Sequence, residues 1–161
     1  MAGQRIRVLH LSDLHFGSHD DPRLEPGLEG LIERVDPELI IASGDLTHRG
    51  RSEQHDRAAT FLRGLGRPVF AVPGNHDIYT RGSMRKNRFA TWFARFLKSD
   101  VDLGEETFPF VHLRGPLAII GLSTAVPQLP FVAAGKLGVT QINALTRLLL
   151  APELRGKTPI V

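Results

Sequence analysis

Asp13, His15, Asp45, Asn75 and His76 fall in three short segments. These are Asp13-Leu14-His15, Gly44-Asp45-Leu46-Thr47 and Gly74-Asn75-His76-Asp77. Carboxylate and amide oxygens with imidazole nitrogens suit one or two divalent metal ions. Asp13 and His15 are separated by one residue, so in an extended chain both point to the same side and can share one cation. The Asp45 carboxylate has two oxygens and can bridge two cations. Asn75 offers a neutral carbonyl oxygen to the second. Two such ions ~3.5–4 Å apart clamp an in-line displacement at phosphorus, one lowering the pKa of a bound water and both neutralising phosphoryl oxygens. His76 then sits near the leaving group, as general acid or charge stabiliser.

This chemistry requires elements that bring the three segments together. Each follows a short apolar run: Ile6 to Leu11, Leu39 to Ala42 and Val69 to Val72. Asp13 and Asp45 are 32 residues apart, and Asp45 and Asn75 are 30 apart. A strand–helix–strand unit takes roughly that length. The spacing therefore predicts parallel strands over 5–11, 38–43 and 67–72, with the three segments side by side at their carboxyl ends, the edge where open α/β sheets bind ligands. Between the strands, Leu24, Leu28, Leu31, Ile32 and Val35 repeat at helical spacing, with Pro26 in the first turn and Asp36-Pro37 as the stop. Ser52 is the expected N-cap of a second helix, buried through Ala58, Phe61, Leu62 and Leu65 and ended by Gly66. Further on, the pattern predicts a helix over 83–98 with an aromatic core stripe of Phe89, Trp92, Phe93 and Phe96. Strands over 108–113 and 117–122 are joined by Arg114-Gly115-Pro116. A last helix from Thr140 should bury Ile142, Leu145, Leu148 and Leu149. Thr158 to Val161 reads as the start of another strand.

Composition sets the bounds. A chain of 161 residues, 42% hydrophobic and 23% charged, can bury one ordinary core, and residues 1–161 read as a single domain. The net charge of +3 favours anionic ligands but falls short of the field expected of a nucleic-acid binder. With no cysteine, disulfides and thiolate metal sites are excluded. No stretch reaches the ~18 apolar residues of a membrane span. The N-terminal apolar stretch is too short for a signal peptide, so the expected location is cytoplasmic.

The segments Ser12-Asp13-Leu14-His15-Phe16-Gly17, Gly44-Asp45-Leu46-Thr47-His48-Arg49-Gly50 and Gly74-Asn75-His76-Asp77 resemble, in order and spacing, the first three blocks of the calcineurin-like metallophosphoesterase superfamily. The Asp-Leu-His-Phe-Gly form is similar to its bacterial phosphodiesterase branch. The resemblance runs from about Arg5 to Asp77 and, more loosely, through Leu117 to Ser123 and the last helix. It implies an α/β fold, a two-sheet β-sandwich flanked by helices. It implies two divalent metal ions, manganese, iron, zinc or magnesium. Asp13, His15 and Asp45 would bind the first and Asp45 and Asn75 the second, with His76 as the catalytic histidine. The implied activity is hydrolysis of phosphoester bonds in a phosphorylated small molecule or nucleotide. The alternatives are a non-catalytic binding module of the same fold and a DNA nuclease of the same superfamily. The oligomeric state is left open.

Two departures accompany the resemblance. The family takes three further histidines from two later blocks, and the only histidine after His76 is His112, with no motif around it. The chain thus reads as truncated before the fourth block. The phosphoprotein phosphatases carry an acid three residues after the bridging aspartate, where this chain has His48. Arg49-Gly50 does match, and Arg49 could touch a phosphate oxygen. Arg81, Arg85 and Arg88 could attract an anionic substrate. Elsewhere, His10 reads as a core or sheet-face residue, His19 and His55 as solvent-facing, and His112 as structural.

Overall fold

The first half of the chain alternates strand and helix as the spacing predicts. In the computed structural model, residues 5–18, 22–78, 87–104, 107–126 and 134–161 are described. The strands β1 (Val8–Ser12), β2 (Leu39–Ser43) and β3 (Val69–Val72) are separated by the helices α1 (Leu24–Val35) and α2 (Ser52–Gly64). They form one parallel sheet in the order β1-β2-β3. The register pairs Ser12 with Ser43 and Ser43 with Val72. All three strands therefore end level, and the three motif segments leave the sheet side by side.

Asp36 closes α1 in the left-handed conformation at φ 47°, its N–H donating to the Ile32 carbonyl. At α2 the expectation shifts by one residue: Arg51 is the N-cap and Ser52 is already helical. The Gln54 side chain does the capping, its Oε1 accepting from the backbone nitrogens of Arg51 (3.3 Å) and Arg49 (2.9 Å). Ala58, Ala59, Phe61 and Leu62 face inward. His55 is fully buried with them, not solvent-facing. It precedes Ala58, Ala59 and Leu62 by three, four and seven residues, which is the same helical stripe. Its ring packs edge-on against Phe89 and Phe93, and Nδ1 donates to the Arg51 carbonyl at 2.9 Å. Burial holds its pKa below the ordinary histidine value.

The predicted helix over 83–98 is shorter. It comprises α3 (Arg88–Phe93) and a 3₁₀ turn at Ala94–Phe96, and residues 83–86 lie outside the described part. Phe89, Phe93 and Phe96 are buried, as the core reading of the aromatic stripe requires.

The second sheet is an antiparallel hairpin, β4 (Phe110–Arg114) and β5 (Leu117–Gly121), with β6 (Thr158–Ile160) parallel to β5. Side chains alternate between its faces with period two. Phe110 and Ile119 join the core of the first sheet, where Phe110 stacks on Phe70 at 4.7 Å. Val111, Ala118 and Ile120 form a separate cluster with Leu148 and Leu154. Two sheets thus pack across an apolar layer with helices outside, the expected sandwich. His112 is buried edge-on to Phe70 and Phe110, a structural role. His10 is exposed on the face of β1, its Nε2 2.6 Å from Ser43 Oγ. His19 lies outside the described residues.

The last helix, α4 (Val139–Leu149), buries Ala144 and Leu148 and half-buries Leu145. Ile142 and Leu149, expected inward, are 44% and 45% exposed. The small Ala144, which a search for large apolar residues passes over, turns the contact stripe away from them. Among the described residues no helix is long and apolar enough to cross a membrane.

Candidate metal centre

Beyond the strands the loops continue the ladder. Asp13 N donates to Gly44 O (3.2 Å), His15 N to Asp45 O (2.9 Å) and Phe16 N to Leu46 O (2.9 Å). His48 N returns a bond to Phe16 O at 3.1 Å, and Gly44 N reaches Val72 O at 3.0 Å. Gln54 Nε2 adds a bond to Gly17 O at 3.3 Å, so the foot of α2 holds both loops. These bonds fix where the side chains of the first two motifs can reach.

Asp13, His15 and Asp45 adopt left-handed backbone conformations, with φ of 55°, 45° and 49°. Each such residue costs of order 1–3 kcal/mol and persists only where its surroundings enforce it. Three in the two facing loops accompany the approach of their side chains to one another. One donor atom from each of Asp13, His15 and Asp45 lies within 4.8 Å of the others. Asp13 is exposed, while His15 and Asp45 are half-buried. His15 Nε2 is 3.9 Å from Asp13 Oδ1, and His15 Nδ1 is buried without a hydrogen-bond partner. Two carboxylates converging on an imidazole, with a ring nitrogen left unsatisfied, fit a divalent cation. The sequence-predicted set is thus brought together for these three residues.

Asn75 follows β3 and lines a cleft of about 340 Å3 with Gly44, Gly74 and Thr124. His76 is tied to the same centre. Its backbone nitrogen donates to Asp45 Oδ1 at 3.0 Å, and its ring stands perpendicular to His15 with centroids 4.8 Å apart. The Nδ1–H of His76 donates to the backbone carbonyl of His48 at 2.6 Å. A carbonyl can only accept, so in the neutral ring Nδ1 carries the proton and the lone pair sits on Nε2. A backbone carbonyl thereby orients His76 at the position where the phosphoprotein phosphatases have an acidic side chain.

Arg49 is exposed on the loop after β2. Arg88 is half-buried, and its Nη1 donates to Gly50 O at 2.9 Å, pinning α3 to that loop. Arg81 and Arg85 lie outside the described residues.

Two residues carry more than the sequence reading gave them. The ring of His48 faces His15 at 5.8 Å and His76 at 5.7 Å. Asp77 is fully buried behind the centre. Its Oδ1 accepts from Thr47 N (2.7 Å) and Thr47 Oγ1 (2.9 Å), and its Oδ2 from Leu46 N (3.2 Å) and Gly74 N (2.9 Å). Burial pushes its carboxyl up to about 6, against the lowering effect of those bonds. The signal was available: Asp77 closes the Gly-Asn-His-Asp segment three residues after Gly74, a spacing at which a side chain can accept from the backbone of its own turn.

Gly74 is required by space. A Cβ there would fall on the carboxylate and backbone nitrogen of Asp45. Gly74→Ala should therefore displace Asp45. Manganese affinity, followed by titration calorimetry, should drop by about 10–100-fold, the range for disturbing a ligand's support. Wild-type affinity in this variant would show that Asp45 is not held against Gly74 in solution.

Known proteins resemble this chain. A sequence profile of the calcineurin-like phosphoesterases matches residues 6–155. The glycerophosphodiester phosphodiesterase GpdQ of Enterobacter lignolyticus is 34% identical over 82 residues, covering 44% of this chain and 29% of that protein. A probable glycerophosphodiester phosphodiesterase of Arcobacter nitrofigilis is 26% identical over 129 residues, 74% of this chain and 44% of the relative. The UDP-2,3-diacylglucosamine pyrophosphatase LpxG of Chlamydia muridarum is 27% identical over 77 residues, 47% of this chain and 23% of the relative. In each case the match spans less than half of the relative's length. A solved structure superposes with a TM-score of 0.63 over 97% of this chain and 67% of its own, at 16% identity, a likeness of fold alone. With the profile covering nearly the whole chain, and with its three motif segments meeting at one sheet edge, the chain belongs to the calcineurin-like phosphoesterase family.

Proposed function

We propose that this chain acts in metal-dependent hydrolysis of phosphoester bonds. Asp13, His15 and Asp45 hold one divalent ion, Asp45 and Asn75 hold a second, and His76 is the catalytic histidine. The observation that carries this reading is the convergence of Asp13, His15 and Asp45 within 4.8 Å, with His76 bonded to Asp45 from the neighbouring loop. The names of the relatives, a glycerophosphodiester phosphodiesterase and a UDP-2,3-diacylglucosamine pyrophosphatase, support a diester or pyrophosphate of a small molecule as substrate.

When bound, divalent ions supply Lewis acidity toward phosphoryl oxygens and lower the pKa of a bound water. The chain's own residues do the rest. Asp45 stands between the first and third loops and fixes their separation. His76, its Nδ1–H engaged by the His48 carbonyl, keeps Nε2 for the leaving oxygen, to which a protonated ring delivers its proton. Arg49, exposed on the loop after β2, is the residue we assign to a phosphate oxygen.

Asp45→Asn tests the metal assignment. It keeps the shape and removes the charge shared by both ions. Manganese binding by calorimetry should weaken more than for Asp13→Asn or Asn75→Ala, by on the order of 10²-fold or more, since a ligand costs at least what its supporting shell does. Unchanged affinity in Asp45→Asn would sink the assignment.

A further inference from the structure

The His48 ring has no part in the metal centre proposed above, yet it meets two histidines that do. His15, His48 and His76 are all half-buried, and one ring nitrogen from each lies within 4.8 Å of the other two. The ring centroids are 4.8 to 5.8 Å apart. We propose that His15, His48 and His76 form an alternative, nitrogen-only cation site, sharing His15 with the first, that selects zinc over manganese and magnesium.

Three features carry this. The first is donor chemistry. Three neutral imidazoles without a carboxylate favour zinc, copper or nickel, whereas the Asp13, His15 and Asp45 set suits the harder manganese and magnesium. The second is preorganisation. Metal-bound histidines characteristically donate their other N–H to a carbonyl or carboxylate, which fixes the tautomer and raises the basicity of the ligating nitrogen. His76 already makes that bond, through Nδ1–H to His48 O at 2.6 Å. Because the acceptor is the backbone of His48 itself, one residue supplies a ligand ring and orients a second. The third is the buried Nδ1 of His15, which finds no hydrogen-bond partner.

The geometry is near what zinc needs. With Zn–N at ~2.05 Å, tetrahedral nitrogens stand about 3.3 Å apart. A spread of at most 4.8 Å closes to that by small rotations of half-buried rings. The fourth position is left to water or an anion. Zinc held here engages Nε2 of His76, the nitrogen that the phosphoesterase reading gives to the leaving group. On that reading, which this consequence alone rests on, zinc competes with the first catalytic ion for the single lone pair of His15 and so inhibits. His48 is then a regulatory residue, not a catalytic one.

The test uses the full chain and zinc alone. X-ray absorption of the protein loaded with one zinc equivalent should show three imidazole nitrogens in the zinc shell. His48→Gln should weaken zinc binding by roughly 100-fold, the upper end of what loss of a supporting residue costs. The same variant should bind manganese as the wild type does. One imidazole with carboxylate oxygens around zinc, or wild-type zinc affinity in His48→Gln, would overturn the proposal. The absorption measurement needs no variant to fold. Failure of the phosphoesterase reading would instead appear as unchanged manganese affinity in Asp45→Asn, a substitution at a carboxylate that is not one of the three imidazoles.

Discussion

His76→Ala should lower kcat on an aryl phosphodiester by about 10²–10⁴-fold, the usual range for a positioned acid or base. The assay loads the protein with manganese, and manganese content should stay at the wild-type level. The two readouts separate roles that the loop geometry brings close together. The ring of His76 lies against His15, and its backbone nitrogen is bonded to Asp45, so a disruptive change would disturb the centre from both sides. Alanine keeps the backbone nitrogen and its bond to Asp45, and removes only the ring. A fall in turnover with manganese retained assigns the ring to the reaction. Loss of both together would make His76 a manganese ligand or a structural support. His76→Asn sharpens the distinction. Its amide can still donate toward the His48 carbonyl but cannot carry a proton to a leaving group, so it should be as slow as alanine.

The strand order and the meeting of Asp13, His15 and Asp45 were legible in the sequence, for a simple reason. Apolar runs ending in acidic or glycine-rich segments at ~30-residue intervals leave few arrangements other than parallel strands with their motifs at one edge. The hairpin of β4 and β5 was legible from Gly115-Pro116 between two apolar runs. Other features escape a reading by residue type, or depend on relations that sequence does not display. His55 looked solvent-facing because histidine is polar, although its spacing to Ala58 and Leu62 put it on the buried stripe. The last helix was rotated by Ala144, too small to register in a pattern of large residues. The bond from His76 to the carbonyl of His48 depends on backbone path, and any residue type at 48 could provide it. The residue type at that position predicts an absent orienting group, and the backbone supplies one. Asp77 has a local signal in its spacing from Gly74, but its bonds to Leu46 and Thr47 of the neighbouring loop are not displayed in the sequence.

Asp77→Ala should be the most destabilising single change at this edge of the sheet. Asp77 joins the second and third loops, which hold Asp45 and Asn75. Removing it leaves the N–H groups of Leu46, Thr47 and Gly74 and the Thr47 hydroxyl without their acceptor. An unsatisfied buried donor costs about 1–3 kcal/mol, and water entering the vacated space recovers part of that, so a net loss of about 3–5 kcal/mol is expected. Denaturant unfolding measures it. A second readout follows from the carboxyl's titration. In the unfolded chain Asp77 ionises near 3.8, and in the fold burial raises this to about 6. Between those values the native state holds a proton that the unfolded chain has released. The stability contributed by Asp77 is therefore complete below the lower value and declines as pH rises through the higher one. The gap between wild type and Asp77→Ala should thus be wider at pH 4 than at pH 7. Because the comparison is between two proteins differing at one site, the opposite trend of buried His55, which destabilises the fold as pH falls below its unfolded value, cancels. A gap that widens toward neutral pH would mean that Asp77 is held as the anion, with the four donors outweighing burial. A gap near zero at both pH values would remove Asp77 from its place as the tie between the two loops.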